Sequence, residues 1–336
     1  MTFAAATEQY IQKQIEQGEW KERGYADSAY QWRSTLRKYA CPVLGEMPVA
    51  KITVDDVLRA LQPIWNVKME TANRTRGRIH AVIDHAYATE RLDQLRNPAA
   101  WEGRLKASLP NPQMRKRGRH ASVQFVEVPA LMAELREIAS FESWALQLVI
   151  LTACRADEVC GSRHNEYDLD GKLGYGAILT VPPARVKGRV NKAADHVVPL
   201  GPRAVELVRE VQSLRMSEHL FPALTHRGQR HKSRSLGLHG PLRLLKRLRP
   251  GMTVHGFRAS FRQWARKQEV EPLLAEECLS HETRNAVARA YDRATSIDTV
   301  DARRVPMEAW QAFATTPPAA NVVSLPTKRK PAADAA

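Results

Sequence analysis

The residue types best suited to binding a phosphate lie in the segment Thr253–Phe261. His255 and Arg258 are three residues apart, so on a helix their side chains share one face. Thr253 is a candidate N-cap, which would place both residues in the first turn of that helix. An imidazole, a guanidinium and the positive end of a helix together suit a phosphate or another anion. The spacing alone is weak, because many surface helices carry such a pair.

Two other segments hold further candidates. His281 follows a Leu-Ser pair, and Tyr291 comes ten residues later. Upstream, an apolar run ends before Arg155, and Glu158 lies one helical turn further on, where it could hold the guanidinium. Each segment read alone has an ordinary interpretation: a structural histidine, a half-buried tyrosine or an intrahelical ion pair.

The elements that must position these side chains are mostly helical. Apolar residues recur at three- and four-residue steps through residues 2–105 and again near 129–138 and 144–152. Within the first block, Thr53 is a candidate N-cap, and a long helix is expected over about 71–89. Two runs, 177–181 and 196–200, predict a strand pair around a polar tip that contains Gly and Lys. Helices are expected to resume from there to about residue 313.

The candidates, taken in chain order, resemble the signature of the tyrosine recombinase (phage integrase) family: Arg155, a lysine on a hairpin, the pair His255 and Arg258, His281 and Tyr291. The wording of segments 253–261 and 285–293 is most similar to P4-type integrases of prophages and genomic islands. The catalytic resemblance spans about 122–314, and a weaker one over 2–105 is similar to the core-binding domain of those integrases. No metal or nucleotide cofactor is implied.

The resemblance implies a mostly α fold, in which a helical core-binding domain precedes a mainly helical catalytic domain with a small β-sheet or hairpin. Together with the composition, it predicts four regions: a helical core-type DNA-binding domain (1–105), a basic interdomain linker (106–121), a tyrosine recombinase catalytic domain (122–314) and a disordered tail (315–336).

Under this resemblance, Tyr291 attacks phosphorus and holds the 3′ end covalently, so that no ATP is needed. Because the pKa of a free tyrosine is ~10, the nucleophile needs a base or a strongly positive site. His255 is the candidate for its proton. Arg155 and Arg258 would stabilise charge on the non-bridging oxygens, and His281 would donate a hydrogen bond to one of them.

The general acid for the leaving 5′-hydroxyl is expected on the hairpin. Lys187 is the candidate, and Lys192, five residues later, stays open as the alternative. Small residues replace the commoner glycines of the family at Ala153, in the turn before Arg155, and at Ser280. The chain also begins where the core-binding domain should, without the arm-binding domain that usually precedes it in P4-type integrases. Either the chain is a shortened or fragmentary integrase, or it works without arm-type sites.

The charge of the chain favours a polyanionic partner. The 336 residues carry 51 Lys and Arg against 36 Asp and Glu, a formal net charge of +15. Residues 219–268 contain twelve cations and no acid, and a second basic patch follows the prolines near 110. The candidate DNA-binding residues from these regions are Arg115, Lys116, Arg117, Arg119, Arg227, Arg230, Lys232 and Arg234. Glycines and prolines in the first window disfavour a basic membrane helix.

Partners and location follow from the charge and the resemblance. We expect double-stranded DNA at attachment sites, a homo-tetramer on DNA from a protein that is monomeric when free, and an excisionase and a DNA-bending host protein as further partners. No secretory signal or membrane segment is apparent, and the four cysteines form no disulfide framework, which predicts a cytoplasmic, nucleoid-associated protein.

Other functions remain open at this point. A site-specific recombinase that integrates or excises a prophage or genomic island is the leading hypothesis. A catalytically silent DNA-binding remnant and a type IB topoisomerase-like enzyme are the alternatives. A zinc site on Cys154, Cys160 and His164 is a distant reading, since the set offers no fourth ligand. The apolar pattern of Val305, Met307, Ala309, Trp310 and Phe313 fits packing in its own domain or docking on a neighbouring protomer.

Overall fold

The chain divides into two units, Met1–Gly118 and Arg119–Ala336. A computed structural model describes residues 1–20, 28–92, 94–111, 121–186, 195–224, 230–280 and 299–317. The described helices of the first unit are α1 (Phe3–Glu16), α2 (Ser28–Tyr39), α3 (Cys41–Leu44), α4 (Val54–Trp65), α5 (Met69–Glu90) and α6 (Gly103–Ser108).

The first unit is a helical bundle with its own apolar core. A capping box opens α4, because the Thr53 hydroxyl accepts from the backbone of Asp56 while the Asp56 carboxylate accepts from the backbone of Thr53. The central helix α5 buries a stripe of apolar side chains at helical spacing, which confirms the long helix predicted there: Ile79, Val82, Ile83 and Ala86. Trp65 stacks on Trp101 and donates to the Pro110 carbonyl, so α4 fixes the chain that leaves this unit.

The second unit is also mainly helical. Its described helices are α7 (Val128–Arg136), α8 (Phe141–Thr152), α9 (Ala156–Cys160), α10 (Pro202–Leu214), α11 (His239–Leu248), α12 (Gly256–Lys267), α13 (Pro272–Cys278) and α14 (Val300–Thr315). Helix α8 is buried along most of its length and forms the centre of this unit's core. It ends at Thr152, directly before the segment that carries Arg155.

The described residues of the second unit also form two small antiparallel sheets. Strands β1 (Tyr167–Asp168), β2 (Ile178–Val181) and β3 (His196–Pro199) form the first, in that order. The predicted strand pair is therefore confirmed as β2 and β3, with His196 opposite Val181. Strands β4 (Pro222–Leu224) and β5 (Arg230–Ser235) form the second sheet.

The sheet of β4 and β5 corrects the expectation of helices after residue 200. The sequence of β5, Arg-His-Lys-Ser-Arg-Ser, has no apolar alternation that would mark a strand. Gly240 and Pro241 lie in the first turn of α11, although their residue types predict a break in a helix. Proline is tolerated in the first turn of a helix, because the backbone N–H that it lacks would have no partner inside the helix. No described helix is long and apolar enough to cross a bilayer.

Helix α14 packs within the second unit. Met307 and Trp310 are fully buried, and the Trp310 indole donates to the Ile150 carbonyl of α8 at 2.7 Å. Val305 is 73% exposed and takes no part in this packing. Of the two readings of this apolar pattern, packing in its own domain accounts for the buried residues.

Candidate active site

The turn between α8 and α9 places Arg155. Ala153, the C-cap residue of α8, has a left-handed backbone (φ 50°), which reverses the chain sharply. Arg155 then becomes the N-cap residue of α9, so its side chain leaves the turn at the start of a new helix. The sequence predicts this arrangement, in which an apolar helix ends just before Arg155.

Glu158 holds Arg155 at two points. Its Oε1 accepts from Nη1 of Arg155 at 2.9 Å, and its Oε2 accepts from the Arg155 backbone N–H at 3.0 Å. Nδ1 of the buried His196 also lies 3.6 Å from Oε2. Burial would raise the pKa of the Glu158 carboxyl, but His196 and Arg155 together outweigh it and lower this pKa to about 2. The carboxylate is therefore ionised and fixed.

Arg258 lies in the interior of the second unit. Its side chain reaches from α12 to two backbone carbonyls, donating to Ala153 at 2.8 Å and to Leu279. Burial and the nearby charge of Arg155 lower the pKa of Arg258 to about 10, which leaves the guanidinium protonated at neutral pH. A buried cation of this kind attracts an anion strongly.

The two guanidinium groups converge on the residues directly before His281. Arg258 donates to the carbonyl of Leu279, and Nη2 of Arg155 donates to the carbonyl of Ser280 at 3.4 Å. Ser280 has a left-handed backbone (φ 49°). The structure thus brings Arg155 and Arg258, which are about a hundred residues apart in sequence, to one place with positive charge.

His255 stands at the start of the same helix as Arg258. It is the exposed N-cap residue of α12. The Thr253 hydroxyl accepts from the Gly256 backbone at 3.2 Å and donates to the Ala121 carbonyl at 3.1 Å, so Thr253 caps the turn before the helix. A side chain at Gly256 would meet the Ala121 carbonyl at 2.5 Å, which only glycine avoids.

Several predicted residues lie outside the described part of the chain. These are Lys187 and its alternative Lys192, His281, Tyr291, Arg115, Lys116, Arg117, Arg119 and Arg227. The backbones of Arg230 and Lys232 belong to β5, and Arg234 is exposed on the same strand. The roles of all these residues stay predictions.

Two residues at this site were missed by sequence analysis. Arg185 donates to the backbone carbonyl of Glu158 at 2.8 Å and pairs with the carboxylate of Glu166. His196 contacts the Glu158 side chain from β3. Neither residue belongs to a local motif, since their contacts join segments about twenty to forty residues apart. The one available signal was Glu158 itself, because a buried carboxylate requires more than one partner.

The cysteines near the site group differently from the zinc reading. Among the described residues, ligand atoms of Cys154, Glu158 and His196 lie within 4.8 Å of one another. The distant zinc reading from the sequence used Cys154, Cys160 and His164 instead. Burial raises the pKa of the Cys154 thiol to about 12, which opposes the thiolate that zinc requires. Arg155 and Arg258 add positive charge beside this group. The arrangement therefore suits an anion rather than a metal cation.

The fold, together with the buried Arg258 and the partly buried Arg155, defines a two-unit helical protein with an anion site suited to a phosphate. Residues 3–104 match the phage integrase central domain, and residues 122–297 match the phage integrase family. The chain therefore belongs to the phage integrase family, as its sequence motifs predicted.

Two prophage integrases are similar to this chain over most of its length, which agrees with this membership. The chain is 33% identical over 245 residues to prophage integrase IntZ of Escherichia coli (strain K12), which covers 71% of this chain and 55% of IntZ. It is 26% identical over 295 residues to prophage integrase IntA of the same organism, covering 85% of this chain and 64% of IntA. The chain thus spans just over half to about two thirds of the length of these relatives.

Solved structures share the fold. A lambda integrase dimer bound to a COC' core site superposes with a TM-score of 0.60 at 15% identity, covering 87% of this chain and 77% of that one. The Tn1549 transposon integrase in complex with transposon right end DNA superposes with a TM-score of 0.59 at 14% identity, covering 92% of this chain and 99% of that one. A lambda integrase tetramer bound to a Holliday junction superposes with a TM-score of 0.61 at 15% identity, covering 85% of this chain and 79% of that one. The mostly helical fold class is confirmed.

Proposed function

We propose that this protein is a site-specific DNA recombinase that cuts and rejoins DNA strands through a covalent bond to Tyr291. The observation that supports this most directly is the convergence of Arg155 and Arg258 on the residues before His281. Two fixed guanidinium groups match the two non-bridging oxygens of one phosphodiester, where negative charge grows during phosphoryl transfer.

The proposed reaction conserves the energy of the phosphodiester bond. The Tyr291 hydroxyl loses its proton and attacks phosphorus, which forms a 3′-phosphotyrosyl bond and breaks the bond to the 5′ oxygen. His255 is the proposed acceptor of the tyrosine proton, and Lys187 the proposed donor to the leaving 5′ oxygen. Attack by the 5′-hydroxyl of another strand reverses these steps and releases Tyr291.

The partners proposed for this reaction are double-stranded DNA and further copies of this chain. The structural neighbours named above are integrases bound to DNA, one of them a tetramer on a Holliday junction. Their shared fold supports a tetramer on DNA here. Integration or excision of a prophage or genomic island, with an excisionase and a DNA-bending protein as helpers, is the finer form of the proposal.

A suicide substrate tests the function. Duplexes with a randomised centre and a nick near it are incubated with the protein, and covalent complexes are captured in denaturant and sequenced. We expect a covalent adduct on one preferred sequence, and none from Tyr291→Phe. Binding of DNA without any adduct would show a silent DNA-binding protein. Relaxation of supercoiled DNA of any sequence would show a topoisomerase-like enzyme instead.

A further inference from the structure

Glu158 is the point at which three segments of the second unit meet. Its side chain holds Arg155, its backbone carbonyl accepts from Arg185 at 2.8 Å, and Nδ1 of His196 lies 3.6 Å from its carboxylate. Glu158 and His196 are both fully buried. A carboxylate without solvent depends on these neighbours for its charge and its orientation.

The neighbours of Glu158 flank the segment that carries Lys187. Arg185 precedes this lysine by two residues, and His196 begins β3 on the far side of the segment. The register of the sheet fixes His196, because it pairs with Val181 of β2. Arg185 before the Lys187 segment and His196 after it therefore both contact Glu158, the residue that binds the Arg155 side chain.

We propose that His196 is a positioning residue for strand cleavage. His196 keeps the Glu158 carboxylate turned toward Arg155, the arginine proposed to bind the scissile phosphate. Because His196 begins β3, this contact also links Arg155 to the end of the segment that carries Lys187. This inference rests on the proposed function and adds to it a residue that touches neither DNA nor the reacting atoms.

The physical reason is the cost of a buried charge that loses one partner. Without His196, burial acts on Glu158 with fewer compensating contacts, and the carboxyl rotates or takes up a proton. Either change weakens its hold on Nη1 of Arg155. The guanidinium then spends less time in the orientation that a phosphate requires.

The test compares cleavage of two suicide substrates by wild type, His196→Leu, His196→Gln and Arg155→Ala. One substrate has the ordinary scissile phosphate, and the other a methylphosphonate, in which a methyl group replaces one non-bridging oxygen and removes the negative charge. We expect His196→Leu to slow cleavage of the phosphate by about tenfold or more. On the methylphosphonate this loss should shrink severalfold, as it should for Arg155→Ala, because the substrate no longer needs the guanidinium charge. His196→Gln keeps an amide donor and should lose less.

Gln311→Leu is the matched control for burial. Gln311 is buried on α14 and accepts from the Gly201 backbone at 2.8 Å, in a contact that does not involve Glu158. Any slowing that it causes should be equal on both substrates. Equal slowing of the two substrates by the His196 variants, or none, would overturn the proposal. Should His196→Leu fail to fold, as judged by thermal unfolding, the His196→Gln comparison decides.

A crystal structure of the folded His196 variant gives a readout that needs no activity. We expect the 2.9 Å contact between Arg155 and Glu158 to be lost or populated only in part. An unchanged contact would overturn the positioning role. A wild type that forms no adduct would refute the proposed function, and the structural readout would still judge His196.

Discussion

At the residue scale, Arg258 combines an anion-binding charge with a structural role. Its two backbone contacts, to Ala153 and Leu279, fix the orientation of the planar guanidinium. Arg258→Lys keeps the charge but cannot span both carbonyls. We expect cleavage of a suicide substrate to slow by ~10²–10³, the usual loss for one preorganised donor.

The control for this substitution is Arg209→Lys. Arg209 is exposed on α10 and pairs with Asp170 at 2.9 Å. Its cleavage rate should match that of the wild type. A rate for Arg258→Lys within a factor of three of wild type would contradict the assignment of Arg258 to the phosphate.

The lowered pKa of Glu158 predicts that the folded protein loses stability in acid. The pKa of its carboxyl is about 2 in the folded protein, against an ordinary value of 4.5. Because the folded pKa is lowered, its contribution is complete above about pH 4.5 and disappears as the pH falls toward 2. The shift corresponds to about 3 kcal/mol. The measurement is the free energy of unfolding in urea for wild type and Glu158→Gln from pH 7 to pH 2.5.

We expect the difference between these two proteins to be greatest at neutral pH and to narrow steadily below pH 4.5. The comparison cancels the titration of the other carboxyls, which both proteins share. A difference that stays constant across this range would mean that the contact with Arg155 and His196 does not depend on the charge of Glu158.

The candidate site could be predicted from sequence only where its chemistry is local. Arg155 with Glu158 and His255 with Arg258 stand one helical turn apart, so spacing alone paired them. The contacts of Arg258 with Ala153 and of His196 with Glu158 join segments that are distant in the chain. Those contacts follow from how α8, α12 and β3 pack, which no local pattern encodes.

At the scale of elements, the two turns that deliver the site carry backbone strain. Ala153 (φ 50°) and Ser280 (φ 49°) are left-handed, a conformation that favours glycine. A side chain costs roughly 1–2 kcal/mol in this conformation, and part of that is offset because glycine loses more entropy on folding. Ala153→Gly and Ser280→Gly should each raise the free energy of unfolding by about 0.5–1 kcal/mol.

Ala133→Gly provides a control of opposite sign. Ala133 is exposed inside α7, where glycine costs about 0.5–1 kcal/mol relative to alanine. In urea denaturation, Ala153→Gly and Ser280→Gly should therefore have a higher free energy of unfolding than the wild type, and Ala133→Gly a lower one. Destabilisation by both glycine substitutions in the turns would show that Ala153 and Ser280 make contacts worth more than the strain.

Helix α14 depends on one buried anchor. Trp310 is fully buried against Phe261, Trp264 and Phe313, and its indole donates to the Ile150 carbonyl. Trp310→Phe keeps most of the apolar contact but leaves that buried carbonyl without its donor, at a cost of about 1–3 kcal/mol. Val305→Ala, on the exposed side of the helix, should change stability by less than about 0.5 kcal/mol. Equal effects of the two substitutions on the urea midpoint would contradict this packing.

The helices of both units were largely readable from sequence, since a buried face at helical spacing is a strong signal. Helix α5 and the pair β2 and β3 show this for long periodic segments and for β-branched runs. The hairpin of β4 and β5 escaped prediction because β5 is built from polar and basic residues. Its pairing depends on backbone hydrogen bonds rather than on an apolar face.

At the scale of the whole molecule, the excess charge separates into different uses. Within residues 219–268, Arg258 is buried in the site, Arg249 pairs with Glu134 at 2.5 Å, and Arg262 pairs with Glu276. Those acids lie outside the window, so the field there is weaker than the sequence count of cations implied. The other cations of the window that are described with their side chains are exposed: Arg234, Arg243, Lys246, Arg247, Arg266 and Lys267.

Under the proposed function, the exposed cations should make binding to DNA depend on salt. Each neutralised phosphate releases counterions, so the logarithm of the affinity falls with the logarithm of salt concentration by ~0.9 per contact. With ~6–10 phosphate contacts, the affinity for DNA should fall ~10³–10⁵-fold between 50 and 200 mM salt.

Arg243→Gln and Lys246→Gln on α11 should each reduce the slope of log affinity against log salt concentration by about one if these residues contact the DNA backbone. Lys172→Gln, which removes an exposed cation paired with Asp170 in the loop after β1, should leave it unchanged. Titrations of a fluorescent duplex at four salt concentrations measure these slopes, and a wild-type slope near zero would exclude this charge from the binding of DNA.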